Sequence, residues 1–149
     1  MTDTMDAAPR AFAVAWPISL QCQDREGRQL ELEVVFEYHP QDPFAVALSF
    51  GPEDHDIRWL LSRDLLVRGI TDPVGEGDVR IWPTTDGFGH AVVAMELRSP
   101  DGRLVAQAST REVYRFVTRT LVSVPAGTES GRLDVDLLVA QLLAASDSQ

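Results

Sequence analysis

The sequence predicts an α+β fold: an antiparallel, β-rich subunit with a short mid-chain helix and two late helices. Three observations predict it. Apolar residues recur at every second position over the first third of the chain, the period of half-buried strands. Clusters of Gly, Pro and Asp punctuate these runs at hairpin spacing. After Thr110 the apolar period lengthens to that of an amphipathic helix.

Residues 1–10 are small and polar without a period, and are expected to form a loose tail. From Ala11 to Cys22, the residues Phe12, Val14, Trp16, Ile18, Leu20 and Cys22 share one side of a long strand. Asp24-Arg25-Glu26-Gly27 is a turn. Leu30, Leu32, Val34, Phe36 and Tyr38 then point inward, with Glu31, Glu33 and Glu37 outward, which predicts an antiparallel hairpin. A turn at His39–Pro43 precedes a third strand with Phe44, Val46, Leu48 and Phe50, and a short apolar run at Ile57–Leu61 predicts a fourth. Ser62 is placed to cap a short helix that Gly69 ends, with Asp64 in its first turn. Thr71–Gly77 reads as a loop and Asp78–Pro83 as a strand with Val79 and Ile81 inward. Gly89–Arg98 and Arg103–Ser109 flank Ser99-Pro100-Asp101-Gly102 and predict a second hairpin.

Thr110–Leu121 carries Val113, Phe116, Val117 and Thr120 on one helical face. Asp134–Ala145 predicts a second late helix, apolar nearly all round at Leu137, Leu138, Val139, Leu142 and Leu143. Such a helix is buried on several sides, so Leu137, Leu138, Leu142 and Leu143 are candidates for an oligomer interface. The expected organisation is one domain over residues 11–145, with tails at 1–10 and 146–149.

Composition narrows the function. At 149 residues the chain has one domain's length. All 13 basic residues are arginine, so no P-loop lysine or Schiff-base lysine exists. The lone Cys22 excludes an intrachain disulfide and a cysteine-based zinc cluster. No apolar stretch has membrane-spanning length and the first residues lack a signal-peptide pattern, so a cytoplasmic protein without membrane insertion is expected. A net charge of -10 argues against broad nucleic-acid binding.

Catalytic constellations are absent. Cys22 lies on an apolar strand face with no basic neighbour in sequence, the setting of a small buried hydrophobe. No Gly-x-Ser-x-Gly elbow occurs. Glu53-Asp54-His55-Asp56 has metal-ligating side chains, but a solvated loop accounts for it more simply. No catalytic, metal-binding or cofactor-binding residue is therefore assigned, and no cofactor is expected.

Arginine placement is more informative. Arg111, Arg115 and Arg119 recur at i, i+4 and i+8, one stripe opposite the apolar face of their helix. With Arg98 and Arg103 they give the segment 98–119 a charge of +3 within an acidic chain. Such a stripe suits an acidic peptide or a nucleic-acid backbone through forked hydrogen bonds, although a merely solvated face has the same pattern. Trp82, before Pro83, is a further contact candidate because Trp is enriched at binding hot spots.

The sequence also resembles a known family. Tyr38-His39-Pro40-Gln41-Asp42-Pro43-Phe44-Ala45-Val46, the run Trp59–Gly69 containing Arg63-Asp64-Leu65-Leu66, and Gly75-Glu76-Gly77-Asp78-Val79 resemble the spaced motifs of the SsgA-like proteins. These are sporulation and cell-division regulators of filamentous actinobacteria. Phe116, Arg119-Thr120 and Val124-Pro125 continue the match. The resemblance implies a Whirly-like subunit in a bell-shaped homotrimer. It also implies a non-enzymatic adaptor at division septa that helps localise FtsZ or peptidoglycan-remodelling machinery, with cell-division proteins or a family paralogue as partners. Arg111, Arg115, Trp82 and the acidic strand at Glu31, Glu33 and Glu37 depart from the family pattern. The alternative that a Whirly-like sheet suggests is single-stranded nucleic-acid binding, which the three glutamates oppose.

Overall fold

The structure, a computed structural model, describes residues 11–23, 26–51, 57–100, 102–130 and 142. Its frame is one antiparallel sheet. In chain order the strands are β1 (Val14–Gln23), β2 (Gln29–Tyr38), β3 (Ala45–Phe50) and β4 (Ile57–Ser62), then β5 (Val74–Glu76), β6 (Val79–Thr85), β7 (Ala91–Ser99) and β8 (Gly102–Ser109). They lie side by side in the order β4-β3-β2-β1-β8-β7-β6-β5. Two meanders thus meet where β1 pairs with β8, at Leu20↔Ala108, Gln21↔Gln107 and Cys22↔Ala106. Helix α1 (Arg63–Gly69) links the meanders and α2 (Thr110–Ser123) follows β8.

Register sorts every strand into an inner and an outer face. Ile18, Leu20 and Cys22 of β1 join Val34, Phe36 and Tyr38 of β2 and Ala106 and Ala108 of β8 on the inner face, all buried. Val113, Phe116 and Val117 of α2 close over them, and Phe116 meets Phe36 edge-on at 5.5 Å between ring centroids. Burial pushes the Cys22 thiol up, in keeping with a core side chain.

The helix starts follow from capping. Ser62 Oγ accepts the Leu65 N–H at 3.1 Å to open α1, and Ser109 Oγ accepts the Glu112 N–H at 3.5 Å at the start of α2. Helix α1 ends at Gly69, where Ile81 packs so close to the backbone that a Cβ would overlap its side chain.

Several expectations are corrected. Within the loop expected at 71–77, Val74–Glu76 forms the short edge strand β5, paired with Val79–Ile81. Phe12 and Trp16, expected inward, are each 36% exposed; the Trp16 indole N–H instead donates to Glu112 Oε1 at 3.1 Å. Leu30 and Leu32 lie on the inner face but past its covered part and are exposed. Phe44 precedes β3 and is exposed. Helix α2 runs two residues beyond its expected end. Of the second late helix, Leu137, Leu138 and Leu143 lie outside the described residues; Leu142 is helical and 61% exposed. The Glu53–Asp56 cluster also lies outside the described residues.

One side chain locks these parts together. Arg63 is 1% exposed. Its Nη1 donates to the carbonyls of Thr120 at 2.9 Å and Val124 at 2.7 Å, the open C-terminal end of α2. Its Nη2 donates to Glu129 Oε2 at 2.6 Å. The guanidinium also stacks over the Tyr38 ring, 4.9 Å from the centroid, while Tyr38 Oη donates to the Pro43 carbonyl at 3.0 Å. Strand β2, the end of α2 and the turn after it converge on this cation.

Arg63→Met is expected to lower stability by about 3 kcal/mol in urea unfolding, because it strands the Glu129 carboxylate and the Val124 carbonyl, whereas the Thr120 carbonyl keeps the Val124 N–H. Arg63→Lys is expected to recover only part of the loss, since an ammonium lacks the fork. A Met variant within about 0.5 kcal/mol of the parent would show that the anchor is dispensable.

Candidate docking surfaces

The structure separates the arginines that the sequence groups together. Arg111, Arg115 and Arg119 are exposed along the outward side of α2. Their opposite side, Val113, Phe116, Val117 and Thr120, is buried, so the stripe faces solvent along the helix. Arg98 and Arg103 lie elsewhere. They face each other beside the β7–β8 turn, the far end of β8 from the start of α2, a span of about 20 Å at 3.3 Å per residue. By register they belong to the outer face, whereas α2 covers the inner one.

On that outer face the two arginines converge on Glu96. The carboxylate is 9% exposed, and its Oε2 accepts from Arg98 Nε and Nη2, both at 3.3 Å, and pairs with Arg103 Nε at 3.1 Å. Arg80 stands directly across from Glu96 on β6, and Trp82 across from Ala94. Arg80, Trp82 and Glu96 line a pocket of about 550 Å³ with Pro73, Val74 and Ile81. Trp82, Arg98 and Arg103 therefore share one surface, to which the fold adds Arg80 and Glu96. Glu96 looks like any outward strand residue in the sequence, and no pattern distinguishes it.

A broader groove of about 1380 Å³ runs beside the N-terminal end of α2, lined among others by Gln21, Glu31, Gln107, Arg111 and Tyr114. Its wall includes the β6–β7 loop, which Asp86 builds: its Oδ1 accepts the N–H groups of Phe88 at 2.8 Å and His90 at 2.9 Å. The loop holds Phe88 out into water, 88% exposed. The His90 N–H is the main cause holding the Asp86 carboxyl below its usual range. It outweighs desolvation and is aided by the Phe88 N–H and the His90 ring.

The arginine stripe depends on the anchor at its far end. Partial burial pushes the Glu129 carboxyl up, but the Arg63 hydrogen bond, backbone N–H groups including that of Gly127 and the Arg63 charge outweigh it. The carboxyl is held below its usual range. Glu129 belongs to no motif read from the sequence; its role exists only because Arg63 reaches it. Every buried polar side chain among the described residues (Arg63, Glu96, Thr120 and Ser123) is engaged in such an internal contact. No group of three or more His, Cys, Asp or Glu residues among the described residues is placed to hold a metal ion. No helix among them is long and apolar enough to cross a membrane.

Among the described residues the fold is an antiparallel sheet of eight strands carrying two helices, with arginine and aromatic side chains on its exposed surfaces. The chain belongs to the SsgA family: residues 32–129 match the family described as Streptomyces sporulation and cell division protein, SsgA. It is 40% identical over 111 residues to the sporulation-specific cell division protein SsgB of Streptomyces coelicolor, covering 73% of this chain and 80% of that one. To SsgB of Salinispora tropica it is 38% identical over 138 residues, 91% of this chain and 96% of the relative. The crystal structure of an SsgA-like sporulation-specific cell division protein from Thermobifida fusca superposes with a TM-score of 0.80 at 32% identity, covering 90% of this chain and 98% of that one.

The depressed Glu129 carboxyl makes the anchor sensitive to pH. A group held below its unfolded value contributes stability that is complete above about pH 5 and is lost as the pH falls through the folded value. The stability advantage of the parent over Glu129→Gln, from urea midpoints at descending pH, is therefore expected to shrink on acidification. An advantage that grows as the pH falls would refute this.

Proposed function

We propose that the chain is a non-enzymatic adaptor of sporulation-specific cell division. It works as a homo-oligomer, a bell-shaped trimer of Whirly-like subunits, and helps to localise FtsZ or peptidoglycan-remodelling machinery at the septum from the cytoplasmic side. Docking between protein surfaces does this work. The observation that carries the reading is the solvent-facing stripe of Arg111, Arg115 and Arg119 on a helix anchored at both ends, in a chain whose net charge is -10. A row of guanidiniums presented rigidly can fork onto carboxylates of a partner at low ordering cost. Relatives named sporulation-specific cell division proteins support the cellular setting. The buried polar groups point the same way, since each is used to hold the fold.

Single-stranded nucleic-acid binding is the weaker reading. The outer face of β2 presents Glu31, Glu33 and Glu37, and carboxylates repel a phosphate backbone.

Reversing the stripe with Arg111→Glu, Arg115→Glu and Arg119→Glu is expected to leave the circular dichroism spectrum unchanged, because all three side chains are exposed on the subunit. Recruitment of fluorescently tagged FtsZ to sporulation septa is expected to fall to background. Undiminished recruitment by the folded variant would exclude α2 as the docking site.

A further inference from the structure

We propose that the outer face around Trp82 is a receptor for a short acidic peptide segment with one apolar anchor residue, gripped by Arg80, Arg98 and Arg103. The inference rests on the docking reading only in giving a partner a chemistry; it uses none of the α2 arginines.

The buried Glu96 is the organising group. Its Oε2 takes Arg98 through Nε and Nη2 and Arg103 through Nε. That leaves Arg98 Nη1 and both terminal nitrogens of Arg103 without a partner among the described residues. The two guanidiniums remain 55% and 59% exposed. Held in place by one carboxylate, they lose little conformational freedom when a second carboxylate arrives. Arg80 adds a third positive charge across the strand pair. Two guanidiniums on one carboxylate, with Arg80 opposite it in register, make a positive patch on an acidic chain, complementary to an anion.

The pocket beside them supplies the second half of the recognition. Pro73, Val74 and Trp82 give it apolar walls, while the fully buried Ile81 side chain points to the inner face; its volume of about 550 Å³ accommodates a large side chain. It opens along β5, the last strand of the sheet, where an extended segment can add backbone hydrogen bonds. Aliphatic and aromatic walls next to exposed guanidiniums suit a peptide in which Phe or Leu neighbours Asp or Glu.

The patch is also too small for a long polyanion. Across the same outer face the register leads from β7 through Gln107 and Gln21 to Glu31, with Glu33 and Glu37 further along β2. A nucleic-acid strand laid over the arginines would run onto these carboxylates, whereas a short peptide ends before them.

The test is fluorescence anisotropy of the full chain with a labelled hexapeptide of Asp and Glu around one Phe. Saturable binding that weakens with salt is expected. Arg98→Glu with Arg103→Glu, Trp82→Ala, and replacement of the peptide Phe by Ser are each expected to weaken it about tenfold. Arg111→Glu with Arg115→Glu and Arg119→Glu is expected to change it by less than about twofold. Where the double reversal fails to fold by circular dichroism, Arg80→Gln with Trp82→Ala takes its place. Absence of saturable binding, equal weakening by the α2 variant, or tighter binding of oligo-dT than of the peptide would each overturn the proposal. Peptide binding with normal septal recruitment by the α2 variant would leave this site standing and remove the stripe.

Discussion

A single buried cation holds this protein's layers in register. Arg63 enters the core at the first residue of α1, and its fork satisfies two carbonyls at the open end of α2, the Glu129 carboxylate and the face of Tyr38. Burying a guanidinium is costly unless each face finds a partner, and here the partners come from β2, α2 and the turn after it. The cost of leaving them unpaired ties those segments to one arrangement. The other end of α2 is fastened by Ser109 and by Trp16 reaching Glu112. Clamped at both ends with its apolar side on Phe36, α2 has one side left for solvent, and the arginine stripe occupies it.

The sheet divides the remaining labour between its faces. The inner face is the core. The outer face is sorted by charge along the strand order, acidic at β2 and basic where β6, β7 and β8 meet. β7 is buried on both faces from Val92 to Leu97, because its outer residues Val92, Ala94 and Glu96 lie beneath larger neighbours such as Trp82. A small residue under Trp and a carboxylate under arginines make a rigid outer surface on a strand that is also core. A preformed surface of this kind gives up less entropy on binding.

How much of this was legible varies with the range of the interaction. Alternation located both hairpins and most inward residues, and the cap at Ser62 and stop at Gly69 marked α1. It failed for Trp16, Leu30 and Leu32, because a period of two names the face on which a residue lies but not whether anything covers that face. The edge strand β5 escaped because three residues carry no measurable period. Tyr38, Arg63, Thr120 and Val124 stood out as separate motif positions; their common purpose, one anchor, depends on contacts across tens of residues. Glu129 and Glu96 carried no signal, since a carboxylate in a turn or on a strand looks the same whether solvated or organising a site.

The sequence by itself determined the β-rich architecture, the amphipathic α2 with its arginine stripe and the family, because these rest on local periodicity and short motifs. Only the tertiary structure decided which arginines work together. It parted Arg98 and Arg103 from the helix, joined them to Arg80 and Trp82 around Glu96, and sent Arg63 inward to Glu129. The physical reason is that strand register and packing, which bring residues distant in sequence to within hydrogen-bonding range, set the neighbours of a charge, and those neighbours decide whether an arginine is an anchor, part of a pocket or a free contact.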